Sequence, residues 1–180
     1  MRTARLNIQK IVVSVFNTVL SMSFFFAARR FLLRCFGVRV GERATIHRGV
    51  KLFCPGNLRI GSRTTINYRC FLDARGRLNI GNNVNISHCV KIYTMGHDID
   101  DPFCKTVSRP VVINDNAWIF PNVLIMPGVT IGEGAVVYPG SVVTKNLEDY
   151  TVYAGNPARA IRKRNKNIAY SSEFPIWLGL

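Results

Sequence analysis

Residues 113–143 read "INDNAWIFPNVLIMPGVTIGEGAVVYPGSVV". An aliphatic residue returns every sixth position: Ile113, Ile119, Ile125, Ile131, Val137 and Val143. Four residues after each comes a second series, Ala117, Val123, Val129, Ala135, Ser141 and Leu147, nearly all small or β-branched. A six-residue period means a short strand plus a turn, and three such units make one triangular coil. The aliphatic residue points into the prism. The small residue sits near a corner, where space is scarce.

The same pattern runs back to Val40. Val40, Ile46 and Leu52 form one group of three, Ile60, Ile66 and Leu72 a second, and Ile80, Ile86 and Ile92 a third. The step is six within each group. It is eight between the first three groups, so two extra residues are expected to bulge at one corner of the prism. Glycine follows the first aliphatic of four groups, at Gly41, Gly61, Gly81 and Gly132, where the backbone must turn tightly. Stacked coils bury a continuous aliphatic ladder that no single coil could bury alone. The expected fold is all-β, a parallel β-helix of about five coils.

The period breaks once. Between Ile92 and Ile113 the step is twenty-one, and the insertion lies in "YTMGHDIDDPFCKTVSRPVV", residues 93–112. A long loop extruded from a compact repeat is usually functional. This one carries His97, with Asp98, Asp100 and Asp101 beside it. An imidazole, with an ordinary pKa of about 6.5, can accept a proton at neutral pH. A neighbouring aspartate could orient it, bind an acceptor or solvate the loop.

From about residue 38 to 165 the chain resembles the hexapeptide-repeat acyltransferases, in particular the galactoside, maltose and xenobiotic O-acetyltransferases. The loop histidine after a glycine, "NDNAWI", "PGVTIG", "GSVVTK" and "AGNPARAIR" occur in that family's order. The resemblance implies a left-handed coil, a homotrimer, acetyl-coenzyme A as co-substrate and no metal. It implies that His97 is the general base. It places Asn67 at the acceptor, and Trp118, Ser141, Thr144, Lys145, Arg159 and Arg162 at the cofactor. Cations suit the phosphates of coenzyme A. Asp73, and Asp98 and Asp100 in the loop, are further candidate acceptor ligands, since a carboxylate suits sugar hydroxyls. Two departures stand out. Phe120 and Tyr138 put bulk where the family passes the pantetheine arm along small residues.

Other β-helices fit less well. A zinc anhydrase needs three converging histidines, and His47, His88 and His97 lack that spacing. Ice binding needs flat threonine arrays, which are missing.

The ends differ from the repeat. Net charge is +14, and residues 1–43 hold eight Lys/Arg against Glu42 alone. Ile11–Ala28 is an uncharged run of eighteen residues, marginal for crossing a bilayer. Ser14, Asn17, Thr18 and Ser21 form a polar stripe on it, and a second short helix is expected from about Arg30 to Phe36, ending at Gly37. Three readings stay open for this segment: a helix on the membrane surface, a helix packed on the protein or its oligomer, or a spanning or signal segment. The chain thus divides into an N-terminal helical segment (1–37), a β-helix (38–153) and a basic tail (154–180). No nucleic-acid motif or aromatic platform accompanies the basic residues, which argues against a nucleic-acid partner. Five widely spaced cysteines without CxxC argue against a disulfide framework and fit a reducing compartment. The combined expectation is a cytoplasmic O-acetyltransferase, peripheral on the inner membrane, that acts on a sugar of a surface polysaccharide or lipid-linked precursor. A small soluble sugar or a xenobiotic is the alternative acceptor, and a non-catalytic trimeric scaffold the alternative class.

Overall fold

The computed structural model describes residues 2–173. Its body is a three-sided solenoid of parallel strands. Face I stacks Arg39–Val40, Leu58–Ile60, Leu78–Ile80, Val111–Ile113 and Thr130–Ile131. Face II stacks Thr45–Ile46, Thr65–Ile66, Asn85–Ile86, Trp118–Ile119, Val136–Val137 and Thr151–Ala154, then adds an antiparallel strand, Arg159–Lys163. Face III stacks Lys51–Phe53, Phe71–Asp73, Lys91–Ile92, Leu124–Ile125 and Val142–Val143. The chain visits I, II and III in turn.

The aliphatic ladder lies in register. Ile46, Ile66, Ile86, Ile119, Val137 and Tyr153 pair down face II, and Leu52, Leu72, Ile92, Ile125 and Val143 down face III. Nearly all of these side chains are fully buried. The two-residue additions fall at one corner, III–I, as Cys54–Asn57 and Ala74–Arg77. Leu147 bridges Ile131 and leads into Thr151–Ala154, so a partial sixth turn follows the five expected. Glycine is required at Gly61 because a Cβ there would lie 2.4 Å from the Gly81 backbone of the next coil.

A solenoid exposes edge strands at its ends, and two helices pack on the first coil of this one. Helix α1, Arg2–Met22, lies beside the first strand of face III. The Asn17 carboxamide donates to the Leu52 carbonyl (3.0 Å) and accepts the Leu52 N–H (2.8 Å), so one side chain takes the place of a neighbouring strand. Helix α2, Phe26–Cys35, packs on the first coil through Phe26 and Leu33. It ends at Gly37, at φ +81°, as expected.

The apolar run is not one helix. It breaks at residues 23–25, and α2 begins four residues earlier than expected. The reason is Arg29, which is fully buried. Its guanidinium donates to the Ser23 carbonyl at the break and to the Ile46 carbonyl of the first coil (2.7 Å). The bend is tied to the prism. Among the described residues no helix is long and apolar enough to cross a membrane.

The tail is a strap. Arg164 donates to the Gly134 carbonyl (2.9 Å), the Tyr170 hydroxyl to the Asn116 carbonyl (3.2 Å), and the Ser172 N–H to Asn83 Oδ1 (2.7 Å). Thr65 Oγ1 donates to the Ser172 carbonyl, and Glu173 pairs with Arg43 at 3.5 Å. The segment thus descends coil by coil from the fifth to the first.

His47 lies under α2, edge-on to Phe26 (5.0 Å) and Tyr68 (5.1 Å). Burial, then Arg29 and His88, lower its pKa to about 4. The unfolded chain takes up this proton near pH 6.5, the folded chain only near 4, so the stabilisation is full above about 6.5 and is lost as pH falls toward 4. Urea midpoints measured from pH 7 to 5 will fall for the wild type, and His47→Phe will flatten that slope. Equal slopes in both proteins would contradict the assignment.

Candidate functional site

The insertion leaves the prism at corner III–I. There it forms a hairpin in which Met95–His97 pairs antiparallel with Thr106–Ser108, His97 opposite Thr106. Its root is clamped by polar contacts. Thr94 is fully buried; its Oγ1 donates to the Asp73 carbonyl (2.9 Å) and accepts the Gly76 N–H (2.8 Å). The Asp73 carboxylate accepts the Arg75 backbone N–H (3.1 Å) and holds the guanidinium through Nε (2.9 Å) and Nη2 (3.0 Å). These bonds raise the Arg75 pKa above its ordinary value. Arg75 also lies over the Phe53 ring, 5.1 Å from its centroid. Asp73, a candidate acceptor ligand on its sequence, is therefore not free to bind one. It is fully buried and consumed in positioning the hairpin.

The hairpin presents His97 to solvent. Its Nδ1 lies 2.8 Å from the Cys104 carbonyl oxygen. A carbonyl only accepts, so Nδ1 carries the proton and Nε2 keeps the lone pair. None of the three aspartates makes this contact. Asp98 Oδ1 accepts the Asp100 N–H (3.1 Å), and Asp101 accepts the Phe103 N–H (2.8 Å) and pairs with Lys105 (3.0 Å). Asp98 and Asp101 shape the tip, and a backbone carbonyl orients the imidazole. Sequence carries no side-chain signal for such a contact.

The remaining candidates lie elsewhere on the prism. Thr144 and Lys145 are exposed on corner III–I, two coils beyond the hairpin root. Asn67 is half-buried at corner II–III, where its carboxamide donates to the Ile86 carbonyl (3.1 Å). Ser141 is fully buried: its hydroxyl donates to the Tyr138 carbonyl (2.7 Å) and accepts the Gly155 N–H (3.1 Å), so it braces the last coil and its side chain is closed to a ligand.

Trp118 lies on the outer side of face II. With Phe120, Val136, Tyr138, Val152, Arg162 and Arg164 it lines a groove of about 280 Å³. Arg159 is exposed on the same added strand as Arg162. Phe120 and Tyr138 meet edge-to-face (5.8 Å), and Trp118 meets Tyr170 of the strap (5.1 Å). Arg164 and Tyr170 reach this groove only through the strap's path, which no local pattern in the sequence marks. Among the described residues no three His, Cys, Asp or Glu side chains gather to hold a metal.

A triangle has each corner opposite one face. Corner III–I, which carries His97, is opposite face II, which carries Trp118 and Arg162. One chain therefore presents His97 and the basic aromatic groove on opposite sides of its own prism.

The structure is thus a hexapeptide solenoid with the His97 imidazole on an extruded hairpin. Comparison with known proteins gives its class. Residues 110–145 match the family described as bacterial transferase hexapeptide (six repeats). The chain is 36% identical over 136 residues to WcaF of Escherichia coli (strain K12), provisionally named a colanic acid biosynthesis acetyltransferase, covering 76% of this chain and 75% of that protein. A hexapeptide-repeat acetyltransferase of Vibrio cholerae O1 biovar eltor, complexed with acetyl-coenzyme A, superposes with a TM-score of 0.82 at 29% identity over 91% of each chain. A maltose O-acetyltransferase of Clostridium difficile 630 gives 0.80 at 30% identity over 89% of each. A galactoside acetyltransferase in complex with coenzyme A gives 0.78 at 29% identity over 92% of this chain and 88% of that one. The chain belongs to the hexapeptide-repeat acetyltransferases, and it is an acyltransferase.

His97→Ala is expected to lower acetyl transfer by about 10²-fold or more while coenzyme A binding, measured by calorimetry, is kept. An unchanged rate would remove His97 from the chemistry.

Proposed function

We propose that this protein transfers an acetyl group from acetyl-coenzyme A to a sugar hydroxyl of a surface-polysaccharide or lipid-linked saccharide precursor. It does so as a homotrimer, in the cytoplasm, peripheral on the inner membrane through residues 1–36. The observation that carries the chemistry is the Nδ1–Cys104 hydrogen bond, which leaves Nε2 of His97 as a base. Nε2 takes the proton of the acceptor hydroxyl as its oxygen attacks the thioester carbonyl. The tetrahedral intermediate collapses, the C–S bond breaks, and the thiolate recovers the proton from the imidazolium. The products are the acetyl ester and free coenzyme A. Asp98 and Asp100, exposed on the same hairpin, contribute acceptor contacts.

The split site supports an oligomer, and the likeness to the hexapeptide-repeat family favours three copies. A second copy that sets its face II against the hairpin of the first brings Trp118, Arg159 and Arg162 to His97, Thr144 and Lys145. The hairpin tip favours this arrangement, since Ile99 (87% exposed) and Phe103 (84%) are large apolar side chains without cover in one chain. The polysaccharide acceptor is supported by the likeness to WcaF and by the apolar, basic N-terminal end. The likeness to maltose and galactoside enzymes favours a second reading, a small soluble sugar.

Incubation with labelled acetyl-coenzyme A, followed by separation of lipid-linked, polymeric and free-sugar fractions, decides between them. The expected label is in the lipid-linked or polymeric fraction, with a threefold mass by sedimentation. Turnover of free maltose or galactosides alone would sink the polysaccharide reading.

A further inference from the structure

The N-terminal end of the prism carries a feature that the acetyl-transfer site does not use. Helix α1 has three sides. Phe16 and Leu20 face the protein, and Ser14, Thr18 and Ser21 form a polar strip. Ile8, Ile11, Val12, Val15, Val19 and Met22 recur at three- and four-residue spacing, each 44–67% exposed. In α2, Phe31 is 67% exposed. One turn further, Arg34 donates to the Val40 carbonyl (3.0 Å), which holds it at the first strand of face I.

Arg34 there meets two more arginines. Arg39 and Arg59 are directly paired on adjacent strands of face I, about 4.8 Å apart along the stack. Like charges so placed repel. The three line a groove of about 520 Å³ with Val38, Gly41 and Asn82, and no acidic side chain lines it. The ion pairs found among the described residues involve Arg43, Arg75, Lys105 and Lys163, none of these three. Three guanidiniums on an open, carboxylate-free groove suit a phosphoryl oxyanion, which guanidinium forks match in geometry and charge.

We propose that the Arg34–Arg39–Arg59 groove binds the phosphate of an anionic phospholipid headgroup while the apolar side of α1 and Phe31 enter the same leaflet. This rests on the peripheral-membrane reading and adds a specific headgroup contact to it. Apolar burial and cationic attraction act together on an amphipathic surface, and either alone gives weak attachment. Charge complementarity selects the lipid: the first 43 residues hold eight cations against Glu42 alone.

The test is co-sedimentation of the full chain with vesicles of phosphatidylcholine, with or without about a third phosphatidylglycerol. Three proteins are compared: wild type, Arg34→Gln/Arg39→Gln/Arg59→Gln, and a charge-matched control, Lys51→Gln/Arg63→Gln/Lys91→Gln. Thermal unfolding and acetyl-coenzyme A binding confirm that each is folded. The expected result is preferential binding of wild type and control to the anionic vesicles, with at least about a tenfold loss for the groove variant. Equal loss in groove variant and control would overturn the groove and leave net charge as the cause. Equal binding by wild type and groove variant would also overturn it while the membrane reading stands. Wild type that stays in the supernatant with both vesicles would bring down the membrane reading and this inference together.

Discussion

Everything in this protein depends on one constraint: each coil must lie in register on the next. The ladder of Ile and Leu side chains is buried only if Ile46, Ile66, Ile86, Ile119 and Val137 stack directly. Gly61 shows how little tolerance remains, since even a methyl group would meet the neighbouring backbone. Register in turn decides where the chain can depart from the period. A residue inserted within a strand would shift every later side chain to the wrong face. The two-residue additions and the long hairpin accordingly all fall at corner III–I.

That restriction explains how the site is built. The hairpin that carries His97 projects from a corner, because the faces are needed for stacking. The Asp73–Arg75–Thr94 cluster then does for the hairpin what the ladder does for the coils, fixing its root with buried hydrogen bonds. The Cys104 carbonyl fixes the imbalance between the two ring nitrogens of His97. Trp118, Arg159 and Arg162 stay on face II, on the far side of the same prism. A rigid prism cannot fold back on itself, which is why the proposed site draws on a second copy.

The period made the fold legible from residues alone. Five groups of aliphatics sit in the predicted register, and the extra residues bulge where the arithmetic put them. The position of His97 was legible for the same reason, as the break in a regular pattern. What escaped was anything set by tertiary contact. Asp73 reads as a ligand until its burial under Thr94 is seen. Ser141 is one of the small corner residues, and nothing in its neighbours distinguishes a ligand from a brace. The bend between α1 and α2 comes from a buried arginine that grips carbonyls before and after it in the chain. Asn17 reads as part of a polar stripe, yet its carboxamide caps an edge strand thirty-five residues away. Ser141, Arg29 and Asn17 are side chains paired with backbone, and backbone partners leave no trace in sequence.

The central claim is that base and cofactor groove meet across a subunit boundary. Subunit mixing tests it most directly. His97→Ala protein and Trp118→Ala/Arg162→Ala protein, each inactive alone, are unfolded together and refolded. If the site is shared between copies, random assembly into trimers restores about a quarter of wild-type activity, because a site with both intact halves forms at about that frequency. Mixed trimers that form but stay inactive would contradict it.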